Sequence, residues 1–191
     1  NRRLRPFRNY HYLTELSDKT VGILGAGNIG GQIAKRLEAF DMHVLGYDLH
    51  TDDRPHFEKI YNETHLQEFL GRCDYLVNCM PLFKSTEGML CKKWFDLMKS
   101  TVTIVNVGRK KIINDKDFIA FLKSHKDATA VLDMFEKVPN PLTNPYRRLS
   151  NVLVLPGVTA ISREIDKKLS VLIGENMKRL QSGEPLLNQI V

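Results

Sequence analysis

The chain has 191 residues, about one domain and enough for a single sizeable core. Its 42% hydrophobic and 26% charged content belongs to a globular, water-soluble protein; no apolar run nears the ~18 residues of a membrane span, and no secretory leader opens it. The net charge of +6 is spread out, apart from Arg2, Arg3, Arg5 and Arg8 and the run Arg109-Lys110-Lys111, and no basic helix with interleaved aromatics argues for nucleic acid.

In chain order, the first predicted strand is Val21 to Leu24, followed by the turn Gly25-Ala26-Gly27-Asn28-Ile29-Gly30 and an amphipathic stretch, Gln32 to Phe40. A second apolar run, His43 to Tyr47, is closed by Asp48. Strand, glycine turn, helix, strand and acid together form the layout that holds a dinucleotide. Gly25 permits the tight turn, Gly27 lets backbone approach a pyrophosphate, and Gly30 lets the helix pack close to the strand. The helix then offers free N–H groups and its positive end to phosphates. Asp48 stands where a carboxylate accepts the adenosine ribose hydroxyls and repels a 2′-phosphate, so NAD is expected over NADP.

The alternation continues. Tyr75 to Asn78, Thr101 to Asn106, Thr129 to Leu132 and Val152 to Leu155 are short apolar runs of the kind buried parallel strands use. Between them, Thr64 is placed to cap a helix through Gly71, and Lys92 to Lys99 carries Trp94, Leu97 and Met98. Asn114 is placed to cap Asp115 to Lys123, whose early aspartates suit the positive helix end. Ser162 to Gln181 reads as a long amphipathic helix stopped by Ser182-Gly183, and Pro139 through Pro145 as a loop. The expected fold is α/β: six strands in a doubly wound parallel sheet (a Rossmann fold), with helices on both faces in three layers. Cys73, Cys79 and Cys91 contain no CxxC pair, which fits reduced thiols in a cytoplasm, and no metal-ligand constellation is present.

Several segments resemble the D-isomer-specific 2-hydroxyacid dehydrogenases. They are Thr20 through Gly30; Met80-Pro81-Leu82 with Ser85-Thr86; Val105-Asn106-Val107-Gly108-Arg109; Val131 through Glu136; Asn151 through Pro156; and Asn188 through Val191. The resemblance runs from about Leu16 to Val191 and implies an NAD-dependent oxidoreductase acting on a 2-hydroxy or 2-keto acid, with the family's homodimer as the expected assembly. It also implies a division of the chain: residues 1–15 as the end of a crossover, 16–160 as the NAD-binding domain, and 161–191 as the helix and tail that cross to a substrate domain. The N-terminal substrate domain is not in this chain, and Asn1 as first residue fits a fragment or processed form.

By the same resemblance the cofactor-binding residues are Gly25, Gly27, Asn28, Ile29, Gly30, Asp48, Met80, Pro81, Thr86, Val107, Gly108, Arg109 and Asp133. Arg109 matches the catalytic arginine, whose planar fork grips a carboxylate and polarises the C2 oxygen; the family's next residue is glycine, here Lys110. The family's acid–base histidine falls on Gly157 and its partner glutamate on Val138, so both are missing. Glu136 is near, but the family often carries a glutamate there as well, and none of the six histidines falls at a catalytic position. Positioned acid–base catalysis contributes about 10²–10⁴-fold, so two readings stand: a dehydrogenase that moves the proton by water or another group, or a non-catalytic NAD(H)-binding or sensing protein.

Overall fold

The computed structural model describes residues 14–133 and 144–189. Expectations for Asn1 to Tyr12, for Glu136 and Val138, for Pro139 to Pro141, and for Ile190 and Val191 lie outside the described residues. The chain divides into two compact units, one ending at Gly157 and one running from Val158.

In the first unit the strands are β1 (Thr20–Leu24), β2 (His43–Tyr47), β3 (Lys59–Tyr61), β4 (Tyr75–Asn78), β5 (Thr103–Asn106), β6 (Thr129–Leu132) and β7 (Val152–Val154). They form one sheet in the order β3-β2-β1-β4-β5-β6-β7, and every pairing is parallel. The helices are α1 (Asn28–Glu38), α2 (Leu66–Arg72), α3 (Lys92–Phe95) and α4 (Asp115–Ser124). The three-layer arrangement expected from the alternation is present, with one strand more than the apolar runs suggested. β3 holds only three residues and one charge, too short and too mixed to stand out by pattern.

Period-two alternation distributes the core over the two sheet faces. Leu24, Leu45, Leu76 and Ile104 join Phe69, Phe118 and Leu122 of α2 and α4 in the larger cluster. Val21, Ile23, Val44 and Val77 meet Ala34 of α1 in the smaller one. Successive strand residues therefore serve opposite layers, as a sheet covered on both faces requires.

Local signals set the ends of the elements, and several differ from the sequence expectation: α1 starts at Asn28, inside the glycine turn, and ends at Glu38 rather than Phe40, and the last helix starts at Ile165 rather than Ser162. The cap before α2 is Asn62, whose side chain accepts from Thr64 N at 3.1 Å and opens a 3-10 turn, Glu63–His65, ahead of the helix. The expected helix Lys92 to Lys99 stops at Phe95, and Leu97 and Met98 continue in turns that still pack on the core. The strand expected from Thr101 begins at Thr103, because Val102 N bonds back to Lys99 O and holds the preceding residues in a turn. β7 stops at Val154, just before Leu155-Pro156, since proline has no N–H to add to a ladder.

Asn114 caps α4 as expected, accepting from Asp117 N at 3.2 Å. Asn114→Ala is expected to cost about 1 kcal/mol, lowering the melting temperature by about 2–4 °C in a thermal unfolding scan. The second unit carries α5 (Ile165–Ser182), closed by Gly183 in the left-handed conformation at φ 70°, the stop expected from Ser182-Gly183.

Candidate functional site

Because all seven strands run the same way, the segments leaving their carboxyl ends share one edge of the sheet. The strand order reverses between β1 and β4, and a crevice forms there in folds of this type. The glycine turn leaves β1, Asp48 leaves β2, Met80-Pro81 leaves β4, Val107-Gly108-Arg109 leaves β5, Asp133 leaves β6 and Gly157 follows β7.

The three glycines have separable duties. Gly25 sits at φ 90°, which side chains other than hydrogen rarely adopt. A Cβ on Gly30 would stand 2.0 Å from the Gly25 carbonyl oxygen, so the first turn of α1 lies directly on the end of β1. A Cβ on Gly27 would meet nothing within 4 Å, so space is open on the side from which a pyrophosphate would approach. The dinucleotide fits this turn on steric grounds.

Asp48 is tied to that turn. Its Oδ2 accepts from Ala26 N at 2.9 Å, while Gly25 N donates to Tyr47 O at 2.9 Å. The turn and the acid thus form one unit, with the carboxylate already oriented. Arg54, six residues beyond Asp48, was not singled out in the sequence; its Nη1 lies 3.3 Å from Asp48 Oδ2 and donates to Ala26 O at 2.6 Å. No spacing rule marks an arginine in a loop of this length, and only the folded loop brings it back.

A second polar device joins the loops after β4 and β5. Asn78 and Asn106 are fully buried or nearly so, and Asn78 Nδ2 donates to Asn106 Oδ1 at 2.8 Å. Asn78 Oδ1 accepts from Met80 N at 3.2 Å, and Asn106 Oδ1 accepts from Gly108 N at 3.1 Å. Val107 N and Gly108 N also bond to Asn78 O. Buried amides with their groups satisfied rigidify what they join, here the loops carrying Met80 and Arg109. Asn78 and Asn106 each close an apolar strand with a polar residue, the trace of this role in the sequence.

The remaining candidates divide by what they touch. Met80 is buried against Gly25, and a Cβ on Gly25 would lie 3.1 Å from its side chain. The Thr86 hydroxyl accepts from Phe83 N at 2.8 Å and donates to Pro81 O at 3.0 Å, so it shapes its own loop. Ile29, Leu49 and Phe83 are exposed apolar side chains on the segments after β1, β2 and β4. Arg109 is exposed and has no ion-pair partner among the described residues. Its neighbour Lys110 is instead paired with Asp115 at 2.7 Å.

At the far end of the edge, Asp133 is 1% exposed and its Oδ1 accepts from Gly157 N at 3.0 Å. Gly157 has φ 77°. Gly157, where the sequence resemblance leads one to expect the family's histidine, thus has a backbone conformation suited to glycine. Cys79, whose sulfur lies 3.2 Å from both the Leu24 and Gly25 carbonyl oxygens, has its thiol pushed up to about 12 by burial and by the Asp48 charge. It is protonated at neutral pH and no nucleophile. Among the described residues no cluster of three or more histidine, cysteine or acidic side chains could hold a metal ion.

The sequence model of the D-isomer specific 2-hydroxyacid dehydrogenase NAD-binding domain matches residues 3–158. The chain belongs to this family. It is similar to D-3-phosphoglycerate dehydrogenase of Methanocaldococcus jannaschii, 33% identical over 89% of this chain and 32% of the relative. Glyoxylate reductase of Korarchaeum cryptofilum is 33% identical over 91% of this chain and 53% of the relative. Among solved structures, a family member from Xanthobacter autotrophicus, in complex with NADPH, superposes with a TM-score of 0.80 at 29% identity, covering 91% of this chain and 71% of that one. NADPH-dependent glyoxylate/hydroxypyruvate reductase of Sinorhizobium meliloti gives 0.80 at 30%, covering 93% and 57%. The chain spans about a third to a half of the curated relatives it matches. The family shown is an oxidoreductase family, and the part shown here is its NAD-binding Rossmann domain. No helix among the described residues is long and apolar enough to cross a membrane.

Proposed function

We propose that this domain holds NAD(H) across the β1–β4 crevice in a longer protein that transfers hydride between nicotinamide and a 2-hydroxy or 2-keto acid, without the family's histidine–glutamate pair. The observation that carries the reading is the bond between Asp48 and Ala26 N, which fixes a ribose-gripping carboxylate to a turn open for phosphate. When bound, the nicotinamide supplies or accepts the hydride. The chain's own residues do the rest. Gly27 and the start of α1 receive the pyrophosphate, and Asp48 takes the ribose hydroxyls. Asp133 and the clasped loops after β4 and β5 bound the nicotinamide end. Arg109, which has no ion-pair partner among the described residues, grips the substrate carboxylate and polarises the C2 oxygen. With glycine at 157 and valine at 138, a water molecule carries the C2 proton. The relatives named for glyoxylate and 3-phosphoglycerate support a small 2-hydroxy or 2-keto acid as substrate. The free thiols support the cytoplasm as compartment.

A second reading is favoured by Gly157, whose left-handed backbone and bond to Asp133 suit a glycine. On that reading the protein binds NAD(H) and signals its occupancy without turnover.

One measurement tests the cofactor binding that both readings share, and a second separates them. Asp48→Ala is expected to weaken NADH binding by about tenfold or more, because the ribose loses a charged acceptor. Equal binding by the variant would remove the basis of the cofactor reading. In the full-length protein, Arg109→Ala is expected to lower kcat/KM for a responsive 2-keto acid by about 10²-fold or more. Tight NADH binding with no turnover across a panel of 2-keto acids would decide for the second reading.

A further inference from the structure

Lys110 stands where the sequence resemblance leads one to expect glycine, directly after Arg109. Its Nζ lies 2.7 Å from Asp115 Oδ2, across the 3-10 turn Lys110–Ile112 that joins the loop after β5 to α4. The other oxygen of Asp115 accepts from the Tyr146 hydroxyl at 2.6 Å. Tyr146 is 3% exposed, and its ring packs against Phe118 of α4 with 6.0 Å between centroids. Burial, together with the Asp115 hydrogen bond and charge, pushes the phenol well above its usual range, so it stays protonated and donates. Each carboxylate oxygen therefore has its own donor, and one of the two donors is rooted in the core.

This brace holds the segment around Arg109 from one side. On the other, Val107 N and Gly108 N bond to Asn78 O, and Gly108 N also bonds to Asn106 Oδ1. Beyond Arg109, Ile112 N donates to Arg109 O at 3.2 Å, Gly88 N to Lys111 O at 2.8 Å and Leu90 N to Ile112 O at 2.9 Å. Arg109 is thus an exposed residue between a fixed entry and a fixed exit. A glycine after it would loosen the exit, whereas a lysine tied at its far end narrows it. The tie also occupies the neighbouring ammonium, which would otherwise compete with the guanidinium for a carboxylate. A partly exposed ion pair adds little to overall stability, so its effect is local.

Resting on Arg109 as the carboxylate-binding group of the proposed function, we propose that Lys110 is a positioning residue, held by Asp115 and Tyr146 so that the Arg109 fork faces the carboxylate of a 2-keto acid. Lys110 itself does not touch the substrate; it acts through the backbone that carries Arg109. A displacement of about 1 Å in a group that orients substrate costs up to about 10²-fold, so a modest brace has a large lever.

The experiment measures oxamate binding to the full-length protein saturated with NADH. Oxamate carries the carboxylate and adjoining carbonyl that every 2-keto acid shares, and its binding needs no turnover. Lys110→Met, which keeps the stem and removes the ammonium, is expected to weaken oxamate by about fivefold to tenfold. NADH affinity should change by less than about twofold and Tm by less than about 4 °C. Lys110→Arg, which keeps a cation for Asp115, should bind oxamate within about twofold of the unsubstituted protein. Tyr146→Phe, which takes one donor from Asp115 and leaves the ring, should act in the same direction as Lys110→Met and more weakly. In an Arg109→Lys background, where the fork is already lost, Lys110→Met should weaken oxamate by less than about twofold. An unchanged oxamate affinity in Lys110→Met, while Arg109→Ala loses it, would overturn this proposal and leave the Arg109 reading intact. Parallel loss of NADH and oxamate in Lys110→Met would also overturn it, as would the full effect persisting in the Arg109→Lys background. If Arg109→Ala binds oxamate like the unsubstituted protein, or the latter binds none, the Arg109 reading falls and this proposal with it.

Discussion

Gly30→Ala is expected to damage both fold and cofactor site, although alanine is by itself the better helix former. Moving from glycine to alanine inside a helix gains up to about 1 kcal/mol. Against that, the new Cβ would lie 2.0 Å from the Gly25 carbonyl oxygen and 3.2 Å from Ile23 Cγ2. A flexible side chain could move aside, but a backbone carbonyl at the end of a central strand cannot without pulling β1 away from β2 and β4. Forced overpacking costs about 1–3 kcal/mol and more where backbone must shift, so the clash outweighs the propensity gain. The expected result is a melting temperature lower by about 4–8 °C and NADH affinity lower by more than tenfold. Two neighbouring substitutions sharpen the test. Gly31→Ala meets nothing within 4 Å and should raise the melting temperature by about 2–4 °C. Gly27→Ala also meets nothing within the protein and should fold normally, yet it should lose NADH because its methyl fills the pyrophosphate's approach. If Gly30→Ala melted like the unsubstituted protein, the close packing of α1 on β1 would be refuted.

Placing a histidine at position 157, as the proposed loss of the family's acid–base pair invites, is the second substitution with a large effect, and its first effect is on stability. Space is no obstacle, since an added Cβ would meet only the Asp133 carbonyl oxygen at 3.6 Å, an ordinary contact. The obstacle is φ 77°, where a side chain with a Cβ costs about 1–2 kcal/mol. Gly157→His is thus expected to lower the melting temperature by about 2–8 °C and to leave 2-keto acid reduction unimproved. Adding Val138→Glu supplies the partner that the proposed function takes to be missing, and an acid–base pair in good geometry contributes about 10²–10⁴-fold. With the backbone set for glycine, the double variant should recover less than about tenfold of this in kcat/KM. A gain of 10²-fold or more would show that position 157 relaxes readily into a side-chain-bearing conformation, and that only the functional groups were missing.

The strongest sequence signals came from residues whose role is local. The glycine turn and Asn114 act within a few residues of themselves, so spacing alone located them. The central strands were readable because burial on both faces makes them continuous apolar runs. β3 was not, since a three-residue edge strand needs little apolar surface and takes its register from Tyr47 and its neighbours. The Arg54–Asp48 contact and the Asn78–Asn106 clasp were also out of reach. Both depend on where a loop or a neighbouring strand comes to rest. Neither arginine in a loop nor asparagine at a strand end is unusual enough to announce a partner.

The shared direction of the seven strands divides the molecule into a working rim and an idle one. Every segment that shapes the crevice leaves a carboxyl end, whereas turns such as Lys126-Asp127, exposed between α4 and β6, enter at the amino ends. A reporter or tether inserted there would sit a full strand length from the nucleotide, attached where extra chain disturbs neither the glycine turn nor the amide clasp. The same insertion between Leu49 and Phe57 would enter the wall of the ribose cleft. For anyone building an NAD(H) probe from this domain, the orientation of its strands already specifies which loops are handles and which are parts of the sensor.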